Sequence, residues 1–116
     1  MRYVMLLDAT PPPTPPPAEL MEAIMKLGEE ATAAGVLLDQ AGLLPSAAGA
    51  MITVTGGELT VTDGPFAETK ELISYAVYAN RDIEEAVEWG SRFMKVHRDL
   101  WPGWEGTCRI LQVMEF

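Results

Sequence analysis

The chain has 116 residues, a length typical of one domain, so any function shares a single hydrophobic core. Apolar residues make up 48% of the chain and charged residues 22%, which is the composition of a folded globular protein and not of a disordered one. Seventeen acidic side chains against eight basic ones give a net charge of -9, which opposes binding to a nucleic acid backbone or an anionic lipid surface.

Residue types that mark export, membrane insertion or metal sites are scarce. Cys108 is the only cysteine, so the sequence predicts neither an internal disulfide nor a thiolate metal site. The apolar start, residues 1–9, is short and runs into prolines, unlike a signal peptide, and no apolar run has the length of a membrane span. No phosphate-binding glycine loop, metal-ligand spacing or nucleophile motif occurs. We therefore expect a cytoplasmic protein with no metal, no cofactor, and no direct nucleic acid or membrane partner.

The first third of the chain predicts a strand, a connection and a helix. Residues 2–7 are apolar, aromatic or β-branched, which favours a buried strand. The proline-rich residues 10–17 favour polyproline geometry, and we expect a stiff surface connection there. Residues 18–34 predict a helix that ends at Gly35, where a left-handed cap is needed. The apolar face of this helix contains Leu20, Ile24, Leu27, Ala31 and Ala34.

A β-hairpin is predicted in the middle of the chain. The second strand begins at residues 36–38, directly after the first helix. Residues 51–55 and 58–62 are two β-rich runs, joined by Gly56 and Gly57. A two-glycine link suits the positive φ angles of a tight turn, so these runs are expected to pair with each other.

The last third of the chain predicts a strand, a helix and a final strand. Residues 72–79 form the strand, and Asp82 followed by Glu85 is the signature of a capping box for a helix through about His97. Residues 109–116 form the final strand, after a break at a proline and a glycine. The inner face of the second helix is predicted to contain Ile83, Ala86, Val87, Gly90, Phe93 and Met94.

This order of elements predicts an α+β fold. A strand, helix and strand are followed by a hairpin and then by a strand, a helix and a strand. This is the connectivity of a ferredoxin-like antiparallel sheet with two helices on one face and an inserted β-hairpin.

The central strands predict a homodimer, because they are apolar on both faces. In residues 2–7, Val4 and Leu6 point one way while Tyr3, Met5 and Leu7 point the other. Two helices on one face leave the other apolar face open, and a monomer rarely exposes such a patch. A second copy, packed sheet against sheet about a twofold axis, would cover that face. The alternative is that the long connections and the hairpin fold back over it.

The segment DGPFAETKE, residues 63–71, carries most of the candidate site residues. Asp63, Gly64, Pro65 and Phe66 suit a turn in which the aspartate accepts hydrogen bonds from the following amides and the glycine adopts positive φ. A structural turn explains these residue types. The functional alternative is a cleft in which a neighbouring ammonium and burial shift carboxylate pKa values toward acid-base chemistry. In that case Asp63 and Glu68 are the candidate catalytic residues, and Pro65, Phe66, Lys70, Glu71 and Tyr75 the candidate ligand-binding residues.

His97 is the third candidate catalytic residue, because an imidazole can act as a general base at neutral pH. The alternative is a histidine that offsets the helix dipole near the C-terminus of the second helix. Trp89, Trp101 and Trp104 would either stack on a flat organic ligand or pack in the core or at an interface.

The chain resembles the YCII-related superfamily, and in particular its DGPF branch, which is named for the motif at residues 63–66. Besides DGPFAETKE, the resemblance covers the opening strand RYVMLL, the segment AAGVLL, the run LTVTDGPF and the helix EEAVEWGSRF. It implies a ferredoxin-like fold that dimerises into an α-β barrel with a cleft between sheet, helices and partner. Genes of this branch often lie beside those of extracytoplasmic-function sigma factors, which implies a sigma-factor-linked regulatory partner.

Better understood relatives carry a histidine near the start of the first helix and an aspartate beyond the second, proposed to do acid-base work. This sequence has no histidine in residues 18–35, so that pair is not carried over.

Three functions remain open on the sequence. The first is a cytoplasmic, dimeric binding or accessory protein that holds a small organic molecule in a cleft beside DGPFAETKE and reports it to a regulatory partner. The second is a small YCII-like enzyme, in which Asp63 or Glu68 with His97 moves protons on a cyclic organic substrate. The third is a protein-binding role that uses the proline tract or the acidic surface.

Overall fold

The computed structural model describes residues 1–10, 12, 14–66 and 70–115. The elements are β1 (Arg2–Ala9), α1 (Ala18–Ala33), β2 (Leu37–Gly42), a 3₁₀ turn (Ser46–Ala48), β3 (Ala50–Thr55), β4 (Glu58–Asp63), β5 (Glu71–Ala79), α2 (Ile83–Leu100) and β6 (Gly106–Gln112). The described chain is an α+β fold, in which a four-stranded antiparallel sheet has the strand order β2-β5-β1-β6 and two further strands form a separate pair, β3-β4. This sheet and its two helices are compatible with the predicted ferredoxin-like fold. No helix in the described ranges is both long and apolar enough to cross a membrane.

The core lies between one face of the sheet and the two helices. Side chains alternate along β1, and the four that point toward the helices, Tyr3, Met5, Leu7 and Ala9, are buried. Their neighbours on β5 and β6 share that face, since Tyr3 pairs with Tyr78 and Met5 pairs with Ala76 and Ile110. Ala31 of α1 and Ala86 of α2 complete this cluster. Both helices therefore pack on the same face.

Helix α2 packs closely on the sheet at Gly90, which is buried on its inner face. A Cβ at this glycine would lie 3.1 Å from Ile110 Cδ1 and 3.6 Å from Met5 Sδ. The buried residues of α2 are Ala86, Gly90 and His97, whereas the predicted inner residues Ile83 and Val87 are exposed. The inner face is thus a stripe of small residues that ends in a histidine. The prediction for Ile83 and Val87 was wrong, since small residues and not bulky ones make the close contact.

The helix ends follow the predicted signals, with one difference at the capping box. Gly35 adopts φ 74° just after α1, as the left-handed cap requires. At the start of α2, the Asp82 carboxylate accepts a hydrogen bond of 2.9 Å from the Glu85 amide. The Glu85 side chain does not return this bond to Asp82; it accepts from the Arg81 amide and from Asn80 Nδ2. The cap is therefore half of the predicted box.

The predicted β-rich runs on either side of Gly56 and Gly57 pair with each other as β3 and β4, from Ala50 opposite Asp63 to Thr55 opposite Glu58. Both glycines have positive φ, as a tight turn requires. Every residue of the two strands is exposed. The hairpin therefore does not fold back over the sheet. Four of its apolar side chains fall on one side, Ile52, Val54, Leu59 and Val61, whereas Met51 lies on the other.

The second face of the sheet is apolar and uncovered in the single chain. Val4 pairs with Val77 and Leu111, and Leu6 pairs with Tyr75, so these side chains share the face that points away from the helices. Leu111 is 50% exposed. We call this surface the open face; within the described ranges neither the hairpin nor a helix covers it.

Strand β6 ends earlier than the sequence suggests. The pattern predicts a strand over residues 109–116, whereas β6 spans Gly106–Gln112. Its limits follow from its neighbour, because β6 pairs with β1 from Gly106 opposite Ala9 to Gln112 opposite Tyr3. The Val113 amide still donates a hydrogen bond of 2.9 Å to the carbonyl oxygen of Arg2, the first residue of β1, and the pairing ends there.

Candidate functional site

A cavity of about 600 Å³ lies between the helix-covered face of the sheet and the two helices. Its wall is mostly apolar and includes Met5, Leu7, Leu20, Ile24, Ala76 and Phe93. Five polar side chains also belong to it: Gln40, Ser74, Tyr78, His97 and Cys108. Within the described ranges, no aspartate, glutamate, lysine or arginine lines the cavity. The described wall therefore carries a formal charge only when His97, Tyr78 or Cys108 is ionised.

His97 is buried, with 4% of its surface exposed, and it borders the cavity from α2. Its Nδ1 lies 2.8 Å from the backbone carbonyl oxygen of Phe93, one helical turn earlier. A carbonyl only accepts hydrogen bonds, so Nδ1 must carry the proton and donate. In the neutral ring this leaves a lone pair on Nε2, to which no described residue donates a hydrogen bond. A residue that lines the cavity thus has a nitrogen free to accept a hydrogen bond or a proton.

Burial keeps the ionisable groups of the cavity neutral. The pKa of His97 is lowered, mainly because burial disfavours the imidazolium, while the Phe93 carbonyl opposes this effect in part. Burial also raises the pKa of the Cys108 thiol and of the Tyr78 phenol. All three shifts favour the uncharged form near pH 7. A lowered pKa favours the neutral imidazole, whereas an offset of the dipole of α2 requires the charged form.

Aromatic rings hold His97 in place. Its ring packs edge-on against Phe93, with centroids 4.7 Å apart, and lies 4.5 Å from the ring of Trp104. Trp101 is buried, lines the cavity and stacks on Trp104 at 6.4 Å. The Trp101 indole donates a hydrogen bond of 3.2 Å to Thr14 Oγ1, which ties the proline-rich connection to this end of α2. Two of the three tryptophans therefore belong to the wall around the histidine.

Tyr75 lies beside the cavity, but its ring is on the other side of the sheet. It pairs with Leu6, which belongs to the open face, and alternates with Ala76 and Tyr78, which face the helices. Its hydroxyl donates a hydrogen bond of 3.0 Å to Asp39 Oδ2, and this bond raises the pKa of the phenol. Tyr75 borders the cavity with its backbone, and its ring belongs to the open face.

The turn at residues 63–66 packs on the 3₁₀ turn rather than on the cavity. The Phe66 amide donates to Ser46 Oγ at 3.3 Å, and the Gly64 amide donates to the Gly49 carbonyl at 3.0 Å. The Gly64–Pro65 peptide bond is cis. Gly64 does not have positive φ, contrary to the expectation; a Cβ at this position would instead overlap the Ser46 carbonyl. The glycine is therefore required for a close approach between two backbones.

Other predicted site residues take part in the same local packing. The Glu71 carboxylate accepts hydrogen bonds from Ser46, at 3.2 Å from its amide and 2.9 Å from its hydroxyl. Lys70 Nζ donates to Thr107 Oγ1 at 3.3 Å, on the neighbouring part of β6. Asp63 ends β4 opposite Ala50. Glu68 lies outside the described residues.

Of the predicted site residues that the structure describes, His97 and Tyr75 border the cavity, whereas Asp63, Pro65, Phe66, Lys70 and Glu71 do not. Their roles in catalysis or binding remain predictions. No group of three or more histidine, cysteine, aspartate or glutamate side chains that can hold a metal occurs in the described part of the chain.

The sequence analysis missed four polar residues of the cavity: Gln40, Ser74, Tyr78 and Cys108. One signal for the site was present in α2. Ala86, Gly90, Phe93 and His97 follow each other at intervals of four, three and four residues, which is the spacing of one helix face. Because these residues share one helix face, His97 lies inward with them. A pattern based on apolar residues alone leaves the histidine out.

The close approach at Gly64 predicts a loss of stability on substitution. We expect Gly64→Ala to lower the free energy of unfolding by about 1–3 kcal/mol, because the added Cβ displaces the Ser46 backbone. Gly42→Ala is the matched control: no atom lies within 4 Å of its Cβ position and its φ is not positive, so its effect should stay within about 0.5 kcal/mol. Urea unfolding of both variants measures the difference. Equal effects would show that the turn does not require a glycine.

Burial of His97 predicts a pH dependence of stability. Its pKa in the folded chain is below the ordinary value of 6.5, so below that pH the unfolded chain binds the proton more readily and folding weakens. The free energy of unfolding of the wild type should therefore decrease from about pH 7 to pH 5, and His97→Phe should lack this component. Parallel curves for the two proteins over this range, from urea titrations, would contradict a buried neutral imidazole.

Comparison with known proteins identifies the family. The sequence model of the YCII-related domain matches residues 1–102, from β1 to just beyond α2, which includes the helix that carries His97. A comparison with curated proteins found no match. Because the family model covers far more than half of the chain, the protein belongs to the YCII-related family.

Proposed function

We propose that this protein binds a small organic molecule in the cavity between its sheet and its two helices, and that it acts as a homodimer. The observation that carries the proposal is the cavity of about 600 Å³, which has a mostly apolar wall and a few polar groups. Ligand pockets in proteins have volumes of roughly 300–1,000 Å³ and this same mixture of lining residues.

The cavity also has the polar group that such a site needs for orientation. His97 is a buried residue whose Nε2 has no hydrogen-bond partner among the described residues. Its ring is held by the Phe93 carbonyl and by the ring of Trp104. A fixed acceptor in an apolar wall orients a ligand without a large loss of conformational freedom. Membership of the YCII-related family is consistent with this role, but it does not identify a ligand.

A neutral, apolar dye tests for binding in the cavity. The wild type should increase the fluorescence of N-phenyl-1-naphthylamine, and Ile24→Trp, which fills part of the cavity, should weaken the binding by about tenfold. Met25→Trp is the matched control on the same helix, because Met25 is exposed and does not line the cavity. Equal dye affinity in the wild type and Ile24→Trp would contradict a site in this cavity.

The open face supports the proposed homodimer. Its apolar centre contains Val4, Leu6, Val77 and Leu111 with the ring of Tyr75, and it remains uncovered in the single chain. Arg109, opposite Leu6, and Asp39, opposite Val77, lie at its edges. Monomers rarely leave a continuous apolar patch of this kind in water. A second copy related by a twofold axis would bury this face on both subunits, since both present the same surface.

The dimer predicts a mass near twice 12.7 kDa in light scattering at micromolar concentration. Leu111→Lys places a charge on the open face and should shift the protein toward the monomer mass, whereas Met25→Lys on the helix surface should not. A wild type of 12.7 kDa at that concentration would contradict the dimer. The sigma-factor-linked partner rests on the resemblance alone.

A second candidate is an enzyme that uses His97 as a general base. The observation in its favour is the free lone pair on Nε2 of a neutral imidazole at a cavity. Within the described ranges no second acid or base shares the cavity wall except Tyr78 and Cys108, whose pKa values burial raises. Turnover that His97→Phe abolishes, with dye binding retained, would favour this candidate over a binding protein.

A further inference from the structure

From the cavity wall we infer the chemical class of the ligand: an uncharged, largely apolar organic molecule with one hydrogen bond donor that reaches Nε2 of His97. The inference rests on the proposed function, because it specifies what the same cavity binds. Three features of the described residues carry it: the charge of the wall, the bonding of the imidazole and the arrangement of the polar groups.

The first feature is the absence of formal charge in the wall. The chain has a net charge of -9, yet no acidic or basic side chain of the described residues borders the cavity. An anionic ligand would find no cation to pair with there and would lose its hydration, which is strongly unfavourable. A cationic ligand would find no carboxylate. The cavity therefore selects against both kinds of ion.

The second feature is the tautomer of His97. Because Nδ1–H donates to the Phe93 carbonyl, the nitrogen that remains can only accept while the ring is neutral. The ligand must consequently supply the donor, as a hydroxyl or an N–H group does. A ligand without a donor would cover this nitrogen and leave it unpaired, and this costs more than the missing bond would contribute.

The third feature is that the polar groups are few and the rest of the wall is apolar. Leu20 and Ile24 of α1 face Met5 and Ala76 of the sheet across the cavity, and Phe93 adjoins the imidazole. Such a wall binds the body of a ligand through burial of apolar surface. The affinity should thus increase with the apolar area of the ligand. The preference among ligands of equal size should depend on whether they carry the donor.

Three naphthalene derivatives of nearly equal size test this inference at pH 7 by isothermal titration calorimetry on the full chain. They are 2-naphthol, which carries a donor; 2-methylnaphthalene, which replaces the donor with a methyl group; and 2-naphthoate, which carries a negative charge. We expect 2-naphthol to bind about three- to tenfold more tightly than 2-methylnaphthalene, and 2-naphthoate to bind at least about tenfold more weakly than 2-naphthol.

Two substitutions assign the preference to His97. His97→Phe should abolish the difference between 2-naphthol and 2-methylnaphthalene, while His97→Gln, whose carbonyl oxygen also accepts, should restore part of it. If His97→Phe does not fold, the comparison of the three compounds on the wild type still decides the ligand class.

The outcomes separate the inference from the proposed function. If 2-naphthoate binds as tightly as 2-naphthol, or if 2-methylnaphthalene equals 2-naphthol, the cavity binds ligands but the inferred class is wrong. A preference for 2-naphthol that persists in His97→Phe overturns the role of the imidazole. No binding of any of the three compounds, together with no binding of the apolar dye, overturns the proposed function itself.

Discussion

The close contact of α2 with the sheet at Gly90 determines where the rest of the molecule lies. A glycine at this position brings the helix axis near Met5 and Ile110, and a larger side chain would hold the helix away. One and two turns further along the same helix face come Phe93 and His97, which the contact places at the edge of the cavity. The site is therefore a consequence of packing: the small residues at the start of the stripe form the contact, and the histidine at its end borders the space left open.

Removal from water then decides the chemistry of that space. The same physical cause lowers the pKa of His97 and raises those of Cys108 and Tyr78, so all three groups favour their uncharged forms. The charged groups of the chain form ion pairs at the surface instead, such as Arg2 with Glu115 and Arg98 with Asp99. Exposed pairs of this kind contribute little to stability. The described charged groups thus stay outside the cavity wall, in a strongly acidic protein.

The sequence predicts the architecture well where a single local pattern determines it. Alternation in residues 2–7 separates Tyr3, Met5 and Leu7 from Val4 and Leu6, and these two sets lie on opposite faces of β1. The glycine pair gives the hairpin turn, and Asp82 begins α2 as its N-cap. The prediction of the ends of β6 was less accurate, because the length of a strand depends on the partner with which it pairs.

The site was harder to predict, since its residues come from elements that are far apart in the sequence. The motif at residues 63–66 was easy to recognise, because its residues are consecutive in the sequence. In the described structure it bonds to the turn at Ser46 and does not reach the cavity. Gln40, Ser74 and Cys108 carry no local signal, because they belong to three different strands and only the folded sheet brings them to one cavity. His97 and Tyr75 were identified from the sequence as candidates and also border the cavity, although the ring of Tyr75 belongs to the open face. The inward direction of His97 depends on the packing of Gly90, which the apolar pattern of α2 does not reveal.

The central claim is that a neutral imidazole, protonated on Nδ1, offers Nε2 to an uncharged cavity. The chain has one histidine, so its ring signals need no assignment by mutation. Long-range nitrogen–proton correlation NMR of the imidazole at pH 7 distinguishes a protonated from an unprotonated ring nitrogen. The account predicts a neutral ring in which Nδ1 carries the proton and Nε2 does not. A charged imidazolium at that pH, or a neutral ring protonated on Nε2, would contradict it.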